Sequence, residues 1–287
     1  MMAAASRFGR GRQRGVALIA VLWIVAALGI LVTGMVQAHR DEIRLVASAR
    51  QTVRGSSLAN AAIQLVLQDM AARGRPLERL TRTEVGFDGV NIVVEIVPMN
   101  GLIDINRAPQ PLLEALFSVA GQVNADQASA LAKAVVEARA PGPLTLGGPR
   151  FEAAEDLLQV PGVDYSLYAR LLPFVTTDAS GGGRVNAMAA PEGVLLILAG
   201  GDSGRAARIA AGRDSGATGV DTTDLPAQLI DAVVGSRFRL VAHVPLPDGR
   251  RLLGTRMVET RRVAPDGVPW RIFAAEDRFE PNLATKN

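Results

Sequence analysis

Arg14-Gly15-Val16-Ala17-Leu18-Ile19-Ala20-Val21-Leu22-Trp23-Ile24-Val25 opens a stretch that runs on to Val36 without an ionisable side chain. As a helix rising ~1.5 Å per residue, residues 16–36 span about 30 Å, the thickness of a bilayer's hydrocarbon core. Lipid offers no water to backbone amides, so a helix is the form this segment can take there. Arg7, Arg10, Arg12 and Arg14 precede it with no acidic residue among them, which marks that flank as cytoplasmic. The chain is expected to enter the membrane N-terminus first and to place the rest on the far side.

The chain has 287 residues, enough for one or two packed domains beyond such an anchor. Its net charge of +3 suggests a polyanion binder at first, but those four arginines carry more than the whole excess and leave the remainder at −1. No nucleic-acid partner is expected on that ground. With no cysteine there is no disulfide framework and no thiolate metal site. Folding therefore rests on the apolar core that the abundant Ala, Leu and Val supply.

Three readings of the apolar stretch compete. One is an uncleaved signal anchor. Another is a cleaved secretory signal with Val36-Gln37-Ala38 as the cleavage site, although the run exceeds the usual apolar length of such signals. The third rests on the position of Gly15, immediately ahead of Val16. This arrangement resembles the prepilin-peptidase site of type IV pilin-like proteins, in which a short basic leader is cut after Gly and the apolar helix stays on the mature chain. That resemblance makes Arg14, Gly15 and Val16 the processing site.

Between Val36 and Arg73 no turn signal appears. Ile43, Val46 and Val53 fall on one helical face, and Leu58, Ala62 and Leu65 on another, slightly rotated beyond Gly55-Ser56-Ser57. A helix from about Val16 to Arg73 would be ~85 Å long. Gly74 and Pro76 stop it. Val90, Ile92, Val94 and Ile96 then alternate as a strand after an Asp88-Gly89 turn. Residues 109–139 are helical in pattern, Pro141-Gly142-Pro143 and Gly147-Gly148-Pro149 mark a loop, and a short helix follows from Phe151 to Leu158.

An echo occurs at an offset of 82 residues: Ile103-Asp104 matches Val185-Asn186, Ala108-Pro109 matches Ala190-Pro191, and Leu113 and Leu116 match Leu195 and Leu198. In each copy an extended piece ends in a polar residue, and Ala-Pro opens a helix, where proline's missing N–H leaves no unmet donor. Residues 157–171 resemble a helix-hairpin-helix. Tyr165 stands where a second hairpin glycine would, and Asp164 puts a negative charge where a phosphate would sit. The hairpin therefore reads as a packing motif.

From Ser236 the strand period returns: Phe238-Leu240-Ala242-Val244, a turn at Pro247-Asp248-Gly249, a strand over residues 251–262, a turn at Pro265-Asp266-Gly267, and Trp270-Ile272-Ala274. The sheet closes only if residues 90–97 join this meander across the intervening region. The fold class is α+β: a long N-terminal helix packed on a small antiparallel sheet, with a large all-helical insertion that is helix-hairpin-helix-like. The domains are a leader (1–15), a transmembrane part (16–36), a helix with the first strand (37–100), the insertion (101–235) and the closing strands (236–287).

The full order is specific. It runs from the Arg14-Gly15 leader and apolar helix to Gly101-Leu102-Ile103-Asp104-Ile105-Asn106-Arg107-Ala108-Pro109, then residues 156–163, Leu172-Pro173-Phe174-Val175-Thr176-Thr177, Val185-Asn186 with Ala190-Pro191, and the closing strands. It resembles the K-type minor pseudopilins of the type II (general) secretion pathway over nearly the whole chain. Val16 stands where many pilin-like chains begin with Phe, and Met188 where an Asn is expected. The resemblance implies an inner-membrane, single-pass protein with a periplasmic C-terminal domain, cut and methylated by prepilin peptidase. Its partners would be the I- and J-type minor pseudopilins. Most pilin-like subunits resemble one another in carrying a buried Glu at the fifth mature position, paired with the N-terminal ammonium of the subunit above; a lone carboxylate in lipid is costly. Ala20 occupies that position, which suits a tip subunit with nothing above it. The assembly surface is then expected on Ile43, Val46, Val53, Leu58, Ala62 and Leu65, and around the strand edges.

Enzymatic readings fare poorly. The two histidines, His39 and His243, are not at ligand spacing. No serine lies in a G-x-S-x-G context, and the glycine-rich stretches lack the P-loop's Lys-Ser/Thr. Asp202, Asp214, Asp221 and Asp224 cluster in one region without EF-hand spacing; calcium is the one cofactor they leave open. The expected protein is not an enzyme. The competing binding reading is a membrane-anchored hairpin-helix protein for DNA uptake.

Overall fold

A computed structural model describes residues 13–74, 77–140, 151–177, 182–217, 219–260 and 267–280. The chain divides into two units, residues 1–54 and 55–287. Helix α1 has the bounds Gln13–Arg73. Within the first unit, Leu18, Ile19, Val21, Leu22, Trp23, Ile24, Val25 and Leu28 are all exposed. Among the described residues no helix is long and apolar enough to cross a membrane. Both ends of the expected 16–36 span lie outside the residues whose side chains are described.

In the second unit, the last turns of α1 cover a sheet. Leu58, Ala59, Ala62, Ile63, Val66 and Leu67 are buried in pairs four apart, the spacing of one helix face. The strands are β1 (Thr81–Phe87), β2 (Val90–Pro98) and, after the insertion, β7 (Arg237–Pro245), β8 (Arg251–Thr260) and β9 (Trp270–Glu280). They form one antiparallel sheet in the order β1-β2-β7-β8-β9. β1 was not anticipated. Of its residues only Val85 and Phe87 are apolar in a Thr-Arg-Thr-Glu run, because an edge strand with half its surface wet needs few apolar side chains. Asp88 (φ 50) and Gly89 (φ 71) are both left-handed, the requirement of a two-residue hairpin turn between β1 and β2.

Ile92, Val94 and Ile96 on β2, Phe238, Leu240, Ala242 and Val244 on β7, and Leu252 and Val258 on β8 share one core with α1. The helix crosses β8 closely: a Cβ on Gly254 would collide with that of Ala59. Beside this crossing Arg256 (6% exposed) reaches Asn60 Oδ1 through Nη2 at 2.7 Å and Asp277 Oδ1 through Nη1 at 2.7 Å. Burial raises the Asp277 carboxyl's pKa, but hydrogen bonds from Arg256 and Ser56 and the Arg256 charge outweigh it and hold it below the usual range.

The chain leaves the sheet after Pro98 and re-enters near Phe238, and those two residues are directly paired. What lies between has its own core. Its elements are β3 (Ile103–Asp104), α2 (Gln110–Ala115), α3 (Ala125–Ala138), α4 (Tyr165–Leu171), β4 (Val175–Thr176), β5 (Val185–Asn186), α5 (Glu192–Leu198), α6 (Ser203–Asp214) and β6 (Ile230–Asp231). The insertion is therefore not all-helical, a correction to the expectation. β3 pairs β4 and β5 pairs β6, each in parallel, because the extended pieces ahead of each Ala-Pro are buried and their peptide groups need partners.

The echo in sequence is an echo in structure. Each half runs from a strand through an Ala-Pro helix entry and a second helix to a parallel closing strand, the first half passing through the further helix α4 before it closes. Pro109 O accepts from Leu112 and Leu113 N–H, and Pro191 O from Val194 and Leu195 N–H. Asp104 Oδ1 accepts from Asn106 N–H (2.9 Å), and Asn186 Oδ1 from Met188 N–H (3.0 Å). The halves dock reciprocally. A Cβ on Gly101 would strike Ala189 O, and one on Gly183 would strike Arg107 O; both pairs are related by the offset of 82. This is the pattern of a two-fold interface within one chain.

Candidate functional site

No catalytic constellation was expected, so the site is built from surfaces. Arg14, Gly15 and Val16 lie within the bounds of α1, with side chains outside the described residues. Ala20 is exposed among exposed apolar neighbours. Of the expected assembly residues, Ile43 has its side chain outside the described set, while Val46 (47%), Val53 (67%) and Leu65 (42%) are exposed. Leu58 (5%) and Ala62 (0%) are buried against the chain's own sheet, which removes them from any docking face. The leucine spacing pointed there, but Ala59, Ile63 and Val66, less conspicuous in sequence, set the true centre of the buried face.

The other expected surface, a strand edge, is β9. Every residue from Arg271 to Phe279 on this strand is exposed, including Ile272, Phe273 and Phe279. Pairing with β8 sets Ile272, Ala275, Asp277 and Phe279 on the side of α1, and Arg271, Glu276, Arg278 and Glu280 on the other. A bulge between Met257 and Val258 leaves Phe273 the extra residue. Arg237 lies 5.7 Å from the Phe273 ring centre and Arg250 4.8 Å from that of Phe279, so both rings have a cation over them. Only the alternation over residues 270–274 gave a sign of this strand in advance.

The hairpin in the insertion is a 3₁₀ turn, Ala154–Gln159, then a bend with Gly162 at φ 90, then α4. Asp164 Oδ1 accepts from Leu167 N–H (2.7 Å) and Ser166 Oγ (2.9 Å). Those bonds hold its carboxyl below the usual range. A carboxylate already occupies a backbone amide at the start of α4 that an anion would use. Tyr168 is buried, and its hydroxyl is pushed up to about 12 by burial and by Glu155.

The acids weighed for calcium do not converge. Asp202 caps α6 through Arg205 N–H (2.9 Å), Asp214 pairs with Arg213 (2.7 Å), Asp221 accepts from Thr223 N–H (2.9 Å), and Asp224 sits 3.6 Å from Arg208. Among the described residues no group of three or more His, Cys, Asp or Glu could hold a metal ion. Two buried charges were not foreseen. Arg213 (2% exposed) donates to Ala190 O. Asp104 (3% exposed) has its carboxyl raised by burial, against the opposing pull of Asn106 N–H, Arg107 and Arg139.

No family profile matches the chain, and no curated protein matches it. Among solved structures it is similar to a chain of the GspK-GspI-GspJ complex from the enterotoxigenic Escherichia coli Type 2 Secretion System. The match covers 83% of this chain and 98% of that one, at 14% identity and a TM-score of 0.43. A likeness that loose carries neither fold nor function.

Proposed function

We propose that this chain is a non-enzymatic subunit of a membrane-anchored secretion assembly. Specifically, it is a K-type minor pseudopilin, trimmed after Gly15, that caps a periplasmic pseudopilus beside I- and J-type partners. The observation that supports this best is the arrangement of the second unit. The last turns of α1 form one wall of the sheet core, and the sheet is interrupted between β2 and β7 by a separately cored insertion. That is the element order the sequence resemblance implies. The exposed Val46, Val53 and Leu65 leave helix surface for neighbouring subunits, and an apolar Ala20 suits a subunit with none above it. The DNA-uptake reading is not favoured, since Asp164 fills the hairpin's anion position.

Photocrosslinking tests the reading. A photoreactive residue at Val53 in full-length chain, co-expressed with I- and J-type subunits, should join to one of them, while the same probe at buried Ala62 should not. Equal yields at both positions, or none at Val53, would contradict the proposal.

A further inference from the structure

We propose that β9 is a strand-addition site, taking an extended segment of a different polypeptide as the sixth strand of the sheet. Both edges carry side-chain pairs to the next strand: Arg82 Nε with Glu95 (2.8 Å) and Asn91 with Glu84 (3.0 Å) on β1, Arg251 Nε with Glu280 (2.9 Å) and Arg256 with Asp277 (2.7 Å) on β9. They differ in that the entry to β1 is tied to the insertion by Leu80 N–H to Met188 O (3.1 Å). β9 is longer, 11 residues against 7, and its middle is exposed on both sides. An edge of this length presents a row of backbone donors and acceptors, which is a template for another strand.

The side chains specify the occupant. Away from α1 the row is Arg271, Ala274, Glu276, Arg278, Glu280, with Glu280 2.9 Å from Arg251; toward α1 it is Ile272, Ala275, Asp277, Phe279, with Asp277 already neutralised by Arg256. Cross-strand pairs are stabilised by opposite charges and by apolar contacts. The complementary segment therefore alternates: basic opposite Glu276 and Glu280, acidic opposite Arg271 and Arg278, β-branched opposite Ile272 and Phe279. A second copy of β9 fits badly. Aligning Phe279 with the Ile272 of another copy puts Glu276 against its own equivalent, and that antiparallel two-fold would point the two α1 helices in opposite directions. The second objection rests on the membrane-anchored reading above; strand addition itself does not.

The test uses full-length protein in detergent and the labelled, acetylated peptide Lys-Val-Glu-Thr-Lys-Val-Thr-Val-Glu, whose first residue lies opposite Glu280, read by fluorescence anisotropy. Saturable binding is expected, weakened about tenfold or more when alternate peptide amides are N-methylated, because ladder donors are lost. Arg278→Glu weakens binding about fivefold, and a peptide with Lys as its third residue restores it. Glu84→Lys at the other edge changes nothing. If Arg278→Glu unfolds the chain, Glu276→Lys with Glu as the peptide's fifth residue makes the same test. Equal binding of the N-methylated peptide, no rescue by the charge swap, or disulfide-linked dimers of a Glu276→Cys variant would overturn the proposal. None of these readouts depends on where the mature chain begins, so this inference and the pseudopilin reading fail separately.

Discussion

The two halves of the insertion share a plan and differ in what they bury. The first half places a carboxylate, Asp104, at the end of its strand, and the second places an amide, Asn186. Both accept the N–H two residues on. The fold therefore needs an acceptor there, and the charge is an addition particular to the first half. Two residues on, Asn106 donates from Nδ2 to Phe151 O (2.9 Å) and accepts from Phe151 N–H (3.0 Å), whereas Met188 contributes through its backbone N–H and C=O. The turn survives the exchange of Asn for Met because the preceding residue makes it. What is lost is a bridge to a neighbouring segment.

The reciprocal glycines offer the severest way to break this symmetry. Gly101→Val and Gly183→Val each drive a side chain into the other half's backbone carbonyl, and each should cost about 3 kcal/mol or more in chemical denaturation. The comparison sharpens with alanine. Gly183 sits at φ 85, so Gly183→Ala should cost about 1 kcal/mol more than Gly101→Ala.

Exchanging acid and amide comes next. Asn186 donates to Val233 O (3.1 Å) and Glu78 O (3.4 Å). Asn186→Asp turns those donors into buried repulsions and should cost about 2 kcal/mol. Asp104→Asn should be neutral or stabilising at pH 7. Burial raises the Asp104 carboxyl in the folded state, although Asn106 N–H and two arginines oppose it. Its contribution is then fully present below the unfolded carboxyl's pKa and lost as pH rises through the folded one. Asp104→Asn should flatten the stability profile in that window, as urea midpoints across pH would show. Asp277 has the opposite sign: held low, it stabilises above its unfolded pKa and loses that as pH falls through the folded one.

The smallest contrast is at the bridge. Asn106→Ala should lower stability by about 1–2 kcal/mol, and Met188→Ala by less than about 1 kcal/mol. Equal losses would show that the exchange of Asn for Met carries no bridging consequence.

Most of the sheet was legible because residues 90–96 and Arg237–Pro245 alternate between core and surface. β1 was not, since polar residues dominate an edge, nor were the two-residue strands of the insertion, which are too short to show a period. The echo at Ala108-Pro109 and Ala190-Pro191 was legible as similarity. Its two-fold docking was not, because nothing in a linear chain says that Gly101 meets Ala189. Side-chain burial on α1 was half legible: Leu58 and Ala62 marked the face, and Ala59, Ile63 and Val66 set its centre.

The mass of the mature polypeptide tests the pseudopilin reading most directly. Full-length chain expressed with a prepilin peptidase should be recovered from the membrane fraction starting at Val16, with or without one added methyl group. An intact leader, or a soluble product starting at His39, would contradict it.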